Sequence, residues 1–76
     1  NDKETDFVTR QGAHVESLIQ VCYDLSSERT LKWEIDSIIE CAGELKCSNL
    51  IIVTMNEERV IEKNGYKVKV LPIYKF

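Results

Sequence analysis

Glycine is scarce in this 76-residue chain, with three residues at positions 12, 43 and 65. They are too scattered to form a loop that cradles phosphate, so these residues hold no nucleotide-binding motor. The single histidine, His14, falls in a stretch expected to turn, with no partner to orient it. That argues against a Ser/His/Asp hydrolase. The three cysteines, Cys22, Cys41 and Cys47, are odd in number and lack CxxC spacing, which argues against a disulfide framework and suits a reducing, cytoplasmic setting. A zinc site would need these three thiols and His14 to converge from distant positions, so buried structural thiols are the simpler expectation. Cys22 has no adjacent cation or helix start to lower its pKa, which argues against a nucleophilic role. No apolar run reaches the ~20 residues of a membrane span, and no signal peptide opens the chain, so no membrane partner is expected. Repeats, linkers and low-complexity tracts are missing too.

The chain is long enough for one domain that buries about 60% of its unfolded surface, a thin core with a few kcal/mol of stability. Its 43% hydrophobic and 30% charged residues fit a soluble globular domain rather than a disordered tail. It begins with Asn1 rather than Met, which suggests a piece of a longer protein. The net charge of -3 hides a split. Residues 1–58 carry five Lys/Arg against twelve Asp/Glu, or -7, and residues 59–76 carry five against one, or +4. Such a split marks a binding face or an intramolecular contact. Arg59, Lys63, Lys67 and Lys69 are therefore the candidate nucleic-acid contacts, with a solvated hairpin as the plainer alternative.

Alternation from Thr5 to Arg10 predicts a strand, and Gln11-Gly12-Ala13-His14 a hairpin turn. Val15 to Tyr23 reads as a second strand with Glu16, Leu18, Gln20 and Cys22 on one face and Val15, Ser17, Ile19, Val21 and Tyr23 on the other. Apolar residues on both faces predict a central strand covered on both sides. A loop of Gly12, Ala13 and His14 would set Gln11 opposite Val15 and Asp6 opposite Gln20. Ser26 or Ser27 can cap a helix over about 28–46, whose stripe is Leu31, Ile35, Ile38, Ile39, Ala42 and Leu45. Asp36, Glu40 and Glu44 form an acidic row on its other side, and Trp33 lies off the stripe. Leu50-Ile51-Ile52-Val53-Thr54 predicts a buried parallel strand completing a βαβ unit. Arg59 to Lys63, Asn64-Gly65 and Tyr66 to Val70 predict a hairpin with Lys67 and Lys69 pointing outward. Pro72 ends it, and Ile73-Tyr74-Lys75-Phe76 is an apolar tail expected to dock back.

The polar-capable pair Gln20 and Cys22 stands out in the apolar run Leu18-Ile19-Gln20-Val21-Cys22-Tyr23, with Asp6 on the preceding strand. A strand ending in Asp, a glycine turn, a strand reading (D/E)-x-K, a helix and a further strand resemble the core of the PD-(D/E)xK, or restriction-endonuclease-like, superfamily. More closely, Glu4-Thr5-Asp6-Phe7-Val8, Leu18 through Leu25, Arg29-Thr30 through Glu34-Ile35 and the ending Gly65 to Phe76 are similar to the C-terminal domain of predicted P-loop ATPases of the AAA+ class, common in archaea and some bacteria. The resemblance implies a divalent metal held by two carboxylates, with a lysine that positions or activates water. By position Asp6 is the first carboxylate, Gln20 replaces the second and Cys22 replaces the lysine. Gln offers no charge to Mg²⁺ and Cys no cation, which removes several kcal/mol of transition-state stabilisation. Glu16 is four residues along the strand from Gln20, about 13 Å and too far to share one ion.

The expectation is an α/β fold, a small mixed sheet with one long helix on a reduced endonuclease-like core, with no catalysis, no metal and no cofactor. The implied role is an accessory domain of an upstream ATPase that recruits nucleic acid or a protein partner. Two alternatives stand beside it: a metal-dependent nuclease using Asp6 and Gln20, and a structural module that completes or dimerises its parent through a sheet edge and the tail.

Overall fold

Ser27 opens the long helix. Its backbone is extended (φ -81, ψ 128) and its hydroxyl accepts the Thr30 N–H at 3.4 Å, satisfying one of the donors a helix start leaves unpaired. Lys46, expected inside the helix, instead stops it in the left-handed conformation at φ 55, its N–H turned to the Ala42 carbonyl. The helix, α1, runs Glu28–Leu45. It buries Ile35, Ile38, Ile39 and Ala42, the expected stripe, whereas Leu45 at its frayed end is exposed.

The computed structural model describes residues 6–76. The start expected to fray (1–4) and Thr5 of the first expected strand lie outside the described residues. The strands are β1 (Phe7–Gln11), β2 (His14–Val21), β3 (Leu50–Thr54), β4 (Arg59–Lys63) and β5 (Tyr66–Pro72), followed by a 3₁₀ turn at Ile73–Lys75. They form one sheet in the order β1-β2-β3-β5-β4. The three inner strands are parallel and the two edge strands antiparallel to their neighbours. This is the expected small mixed α/β fold. The β3 run matches its expected bounds, and the Asn64-Gly65 turn closes β4 on β5 with both residues at positive φ, 54 and 83. Two consecutive positive φ values give a hairpin turn whose twist matches the strands.

Leu18, Leu50, Ile52, Val68 and Val70 lie on the helix-facing side of the three parallel strands, each 0–1% exposed, and meet Ile35, Ile38 and Ala42 of α1. Pairing brings Leu18 beside Leu50 and Ile52 beside Val70, so the layer is contiguous. Fully burying such side chains stabilises the fold by about 1.5–3 kcal/mol each before entropy is counted. This layer is the core.

Two expectations are corrected. The β2 strand has a helix on one side only, because the chain passes from β3 to β5 through the edge strand β4 rather than through a second helix; on the other side Ser17 and Ile19 are buried, 7% and 8% exposed, without one. One crossover helix covers one face. The first hairpin also turns more tightly than expected. Gln11 pairs with His14 across a two-residue turn, Gly12 taking φ +65, instead of facing Val15. The missing loop residue reappears in the strand. Thr9 pairs with Ser17 and Arg10 with Val15, leaving Glu16 as the extra residue of a β-bulge. The two departures cancel beyond the bulge. Phe7 pairs with Ile19 and Val8 with Leu18, the register that leads to Asp6 opposite Gln20. The bulge also reverses the alternation before it, so Val15 joins the helix-facing core and Glu16 is exposed.

Candidate functional site: a spent polar cluster and a bare sheet face

The register that leads to Asp6 opposite Gln20 also sets Asp6 at the end of β2. Its Oδ2 accepts the Val21 backbone N–H at 2.9 Å. That bond supplies an acceptor beside the start of β1 and commits one of the two carboxylate oxygens to the fold. Gln20 is 3% exposed, and its Nε2 donates to Oε1 of Glu34 on α1. Its own Oε1 is buried with no partner among the described residues. Cys22 is half-buried, its thiol donating to the Asp24 carbonyl at 3.5 Å. Burial, and next the negative charge of Glu34, push the Cys22 thiol up, so it stays protonated near neutral pH. The Asp24 carboxylate is turned to the Ser26 N–H at 2.8 Å, and hydrogen bonds from Ser26 hold its pKa below the usual range. It caps the turn into α1.

The structure therefore joins Gln20 and Cys22 to a residue that the sequence reasoning did not select. Glu34 follows Leu31 by three positions and precedes Ile38 by four, so it lies on the apolar stripe of α1. An acid at stripe spacing was the available signal. Chemically, the cluster has one carboxylate committed to an amide, one to a backbone N–H, one neutral orphan oxygen and one protonated thiol. A hard divalent ion asks for several charged oxygens directed at one point. Among the described residues no group of three or more His, Cys, Asp or Glu could hold a metal.

Pairing alternation sorts the candidate basic residues between the two faces. Ile61 pairs with core residue Val68, so Lys63, two residues on, also faces α1. There its Nζ meets Asp36 Oδ1 at 2.5 Å, while Lys32 takes Asp36 Oδ2 at 2.7 Å. Hydrogen bonds from Lys32 and then Lys63 hold the Asp36 pKa down to about 2. Arg59 pairs with Glu57 at 3.2 Å, and Lys75 with Glu58 at 2.8 Å. Lys67 and Lys69 are exposed on the opposite face and, among the described residues, make no ion pair. The basic tail is thus largely an intramolecular contact, with two lysines left over.

The helix-free face holds a concave groove. Strand pairing aligns Phe7, Ile19, Ile51, Lys69 and Val60 in one row across all five strands, with Val21, Val53 and Leu71 in the next. Over β1, β2 and β3 this face forms an open groove of about 710 Å³. Ile19 and Val53 lie at its floor and Phe7, Tyr23 and Met55 at its rim. The apolar tail reaches it, as expected, through Ile73 and Phe76, yet these remain 55% and 59% exposed. The tail walls the groove without filling it. Trp33 is half-exposed on α1 in a shallower hollow with Arg29, Lys32 and Asp36. Among the described residues no helix is long and apolar enough to cross a membrane. Comparison with family models, with curated proteins and with solved structures finds no match to this chain.

Proposed function

We propose that this chain is a non-catalytic interaction domain built on a nuclease-like scaffold and carried by a larger P-loop ATPase of the cytoplasm. The observation that carries the reading is the employment of Gln20. Its amide is buried and bonded to Glu34, so the position that would hold the second metal-binding carboxylate instead ties the sheet to the helix. Asp6 serves the backbone of β2 and Cys22 stays neutral. Each of the three positions has a structural task, and Asp6 alone among them supplies a carboxylate, where a shared hard ion asks for several. With no reaction to perform, the domain's remaining chemistry is its exposed apolar face and the exposed Lys67 and Lys69 on that same side of the sheet.

Incubation of the chain with plasmid and single-stranded DNA in Mg²⁺ or Mn²⁺ tests this. No cleavage above background is expected, and cleavage abolished by Asp6→Ala would replace the reading with a variant nuclease. The ATPase parent is tested by the residues upstream of Asn1, where a phosphate-binding loop is expected. A nucleic-acid role rests on Lys67 and Lys69, because Arg59 and Lys63 already neutralise Glu57 and Asp36. Lys67→Glu with Lys69→Glu would then weaken DNA binding and flatten its salt dependence.

A further inference from the structure

The interior strands β2, β3 and β5 run parallel, and sheets of that kind are ordinarily buried on both faces because crossover helices cover them. Here one face has its helix. The other shows Phe7, Tyr23, Met55 and Phe76 at 55–72% exposed around the buried floor of Ile19 and Val53. Exposed large apolar side chains gathered around a concavity mark an interaction site rather than scattered surface residues. Backbone groups of the interior strands are already paired within the sheet, so this face offers side chains, not a strand template. An amphipathic helix is the element that covers a sheet face.

Charge narrows the occupant further. Lys69 pairs with Ile51, which pairs with Ile19, so Lys69 stands two strand spacings from the groove floor, about 10 Å. A helix seated over β2 and β3 is about 10 Å wide, so its β5-side flank ends a few ångströms short of β5, within reach of the extended Lys69 and Lys67 side chains. On this face they are the lysines without an ion pair among the described residues, and Glu62 stands opposite Lys67 in the β4–β5 register. We infer that the helix-free face docks an amphipathic helix of a partner protein, with its apolar stripe in the groove of Phe7, Ile19, Val53 and Phe76 and an acidic flank on Lys67 and Lys69. A second copy of this chain fits worse. Its own α1 has already buried its stripe, and stacking two bare faces brings lysines to lysines with Glu62 as the acid on offer. The inference rests on the interaction-domain reading above and adds the partner's chemistry.

The test is a titration of the isotope-labelled 76-residue chain, followed by backbone amide shifts, with two designed peptides. Both are amphipathic helices of about 18 residues with the same leucine stripe, one with a glutamate flank and one with a lysine flank. The expected result is saturable shifts at Phe7, Ile19, Ile51, Val53 and Lys69, with the glutamate-flanked peptide binding about threefold to tenfold tighter, the effect of two exposed ion pairs. Lys67→Glu with Lys69→Glu should reverse the order of the two peptides while leaving the shift map on the same face. Equal binding of the two peptides, or shifts confined to α1, would overturn the inference. So would concentration-dependent shifts at the groove without peptide, which would make a second copy the occupant and leave the interaction-domain reading standing. A DNA oligonucleotide that shifts Lys67 and Lys69 while neither peptide binds would overturn the helix in favour of nucleic acid, again sparing that reading. Cleavage of the oligonucleotide in Mg²⁺ would end the reading itself.

Discussion

The two faces of the sheet use similar residues for different ends. On the α1 side, Leu18, Leu50, Ile52, Val68 and Val70 are closed off from water by the helix. On the other, Phe7, Ile19, Ile51, Val53 and Leu71 are just as apolar, yet the rim stays open. Hydrophobic composition therefore does not separate core from interface in this chain. Topology does, because a crossover through α1 covers one face and a crossover through β4 leaves the other bare.

The largest way to break this comparison is truncation on the covered side. Ile52→Ala should cost about 2–5 kcal/mol, enough to unfold a domain this small, whereas Phe7→Ser on the bare side should stay within about 0.5 kcal/mol in urea unfolding. Equal losses at the two sites would show that both faces serve the fold. Next in size is Gln20→Glu, which trades a buried amide for a carboxylate. It sets a buried acid against the half-buried Glu34, a like-charge contact that should destabilise by about 2–3 kcal/mol at pH 8. The new acid's folded pKa is raised by that contact, so the loss should shrink as pH falls toward 5, where a protonated carboxyl can donate to Glu34. A loss independent of pH would contradict the role assigned to Gln20.

Local features were readable from the sequence where one residue's chemistry decided them. Ser27 and the 3.6-residue stripe locate α1, the β-branched run 50–54 fixes β3, and Asn64-Gly65 closes the last hairpin. Register was subtler. Reading a three-residue loop and missing the bulge at Glu16 were offsetting errors, so the arrangement of Asp6 and Gln20 was right while Val15 was placed on the wrong face. No local pattern distinguishes a loop residue from a bulge residue, since both are one residue longer than the partner strand. The bare face was missed for a different reason. Alternation reports that β2 is apolar on both sides, but not whether this chain supplies both covers. The polar cluster was half legible: Gln20 and Cys22 stood out against their run, whereas Glu34 hid among helical acids.

A smaller effect of opposite sign is expected within the covered side. The Ser37 hydroxyl is fully buried and has no partner among the described residues, so Ser37→Ala should stabilise by about 1 kcal/mol. Any loss of stability there would mean that the hydroxyl is bonded after all. Smallest is the ion-paired edge of α1. The Asp36 pKa is held down to about 2 from the usual 3.8, so its pairing with Lys32 and Lys63 stabilises the fold above pH 3.8 and is lost as pH falls toward 2. Each such partly exposed pair is worth about 0.2–1 kcal/mol. Asp36→Asn should therefore lower stability slightly at pH 7, with a difference that fades at pH 2 and in high salt.

The central claim is that the helix-free face binds and does not fold. The most direct measurement is the affinity of a Phe7→Ser, Tyr23→Ser chain for the glutamate-flanked helical peptide, both side chains being rim residues that are 58% and 72% exposed. The account predicts a loss of about tenfold or more in affinity from two aromatic contacts, with the urea midpoint unchanged. Unchanged affinity, or a midpoint that falls as far as it does for Ile52→Ala, would contradict it.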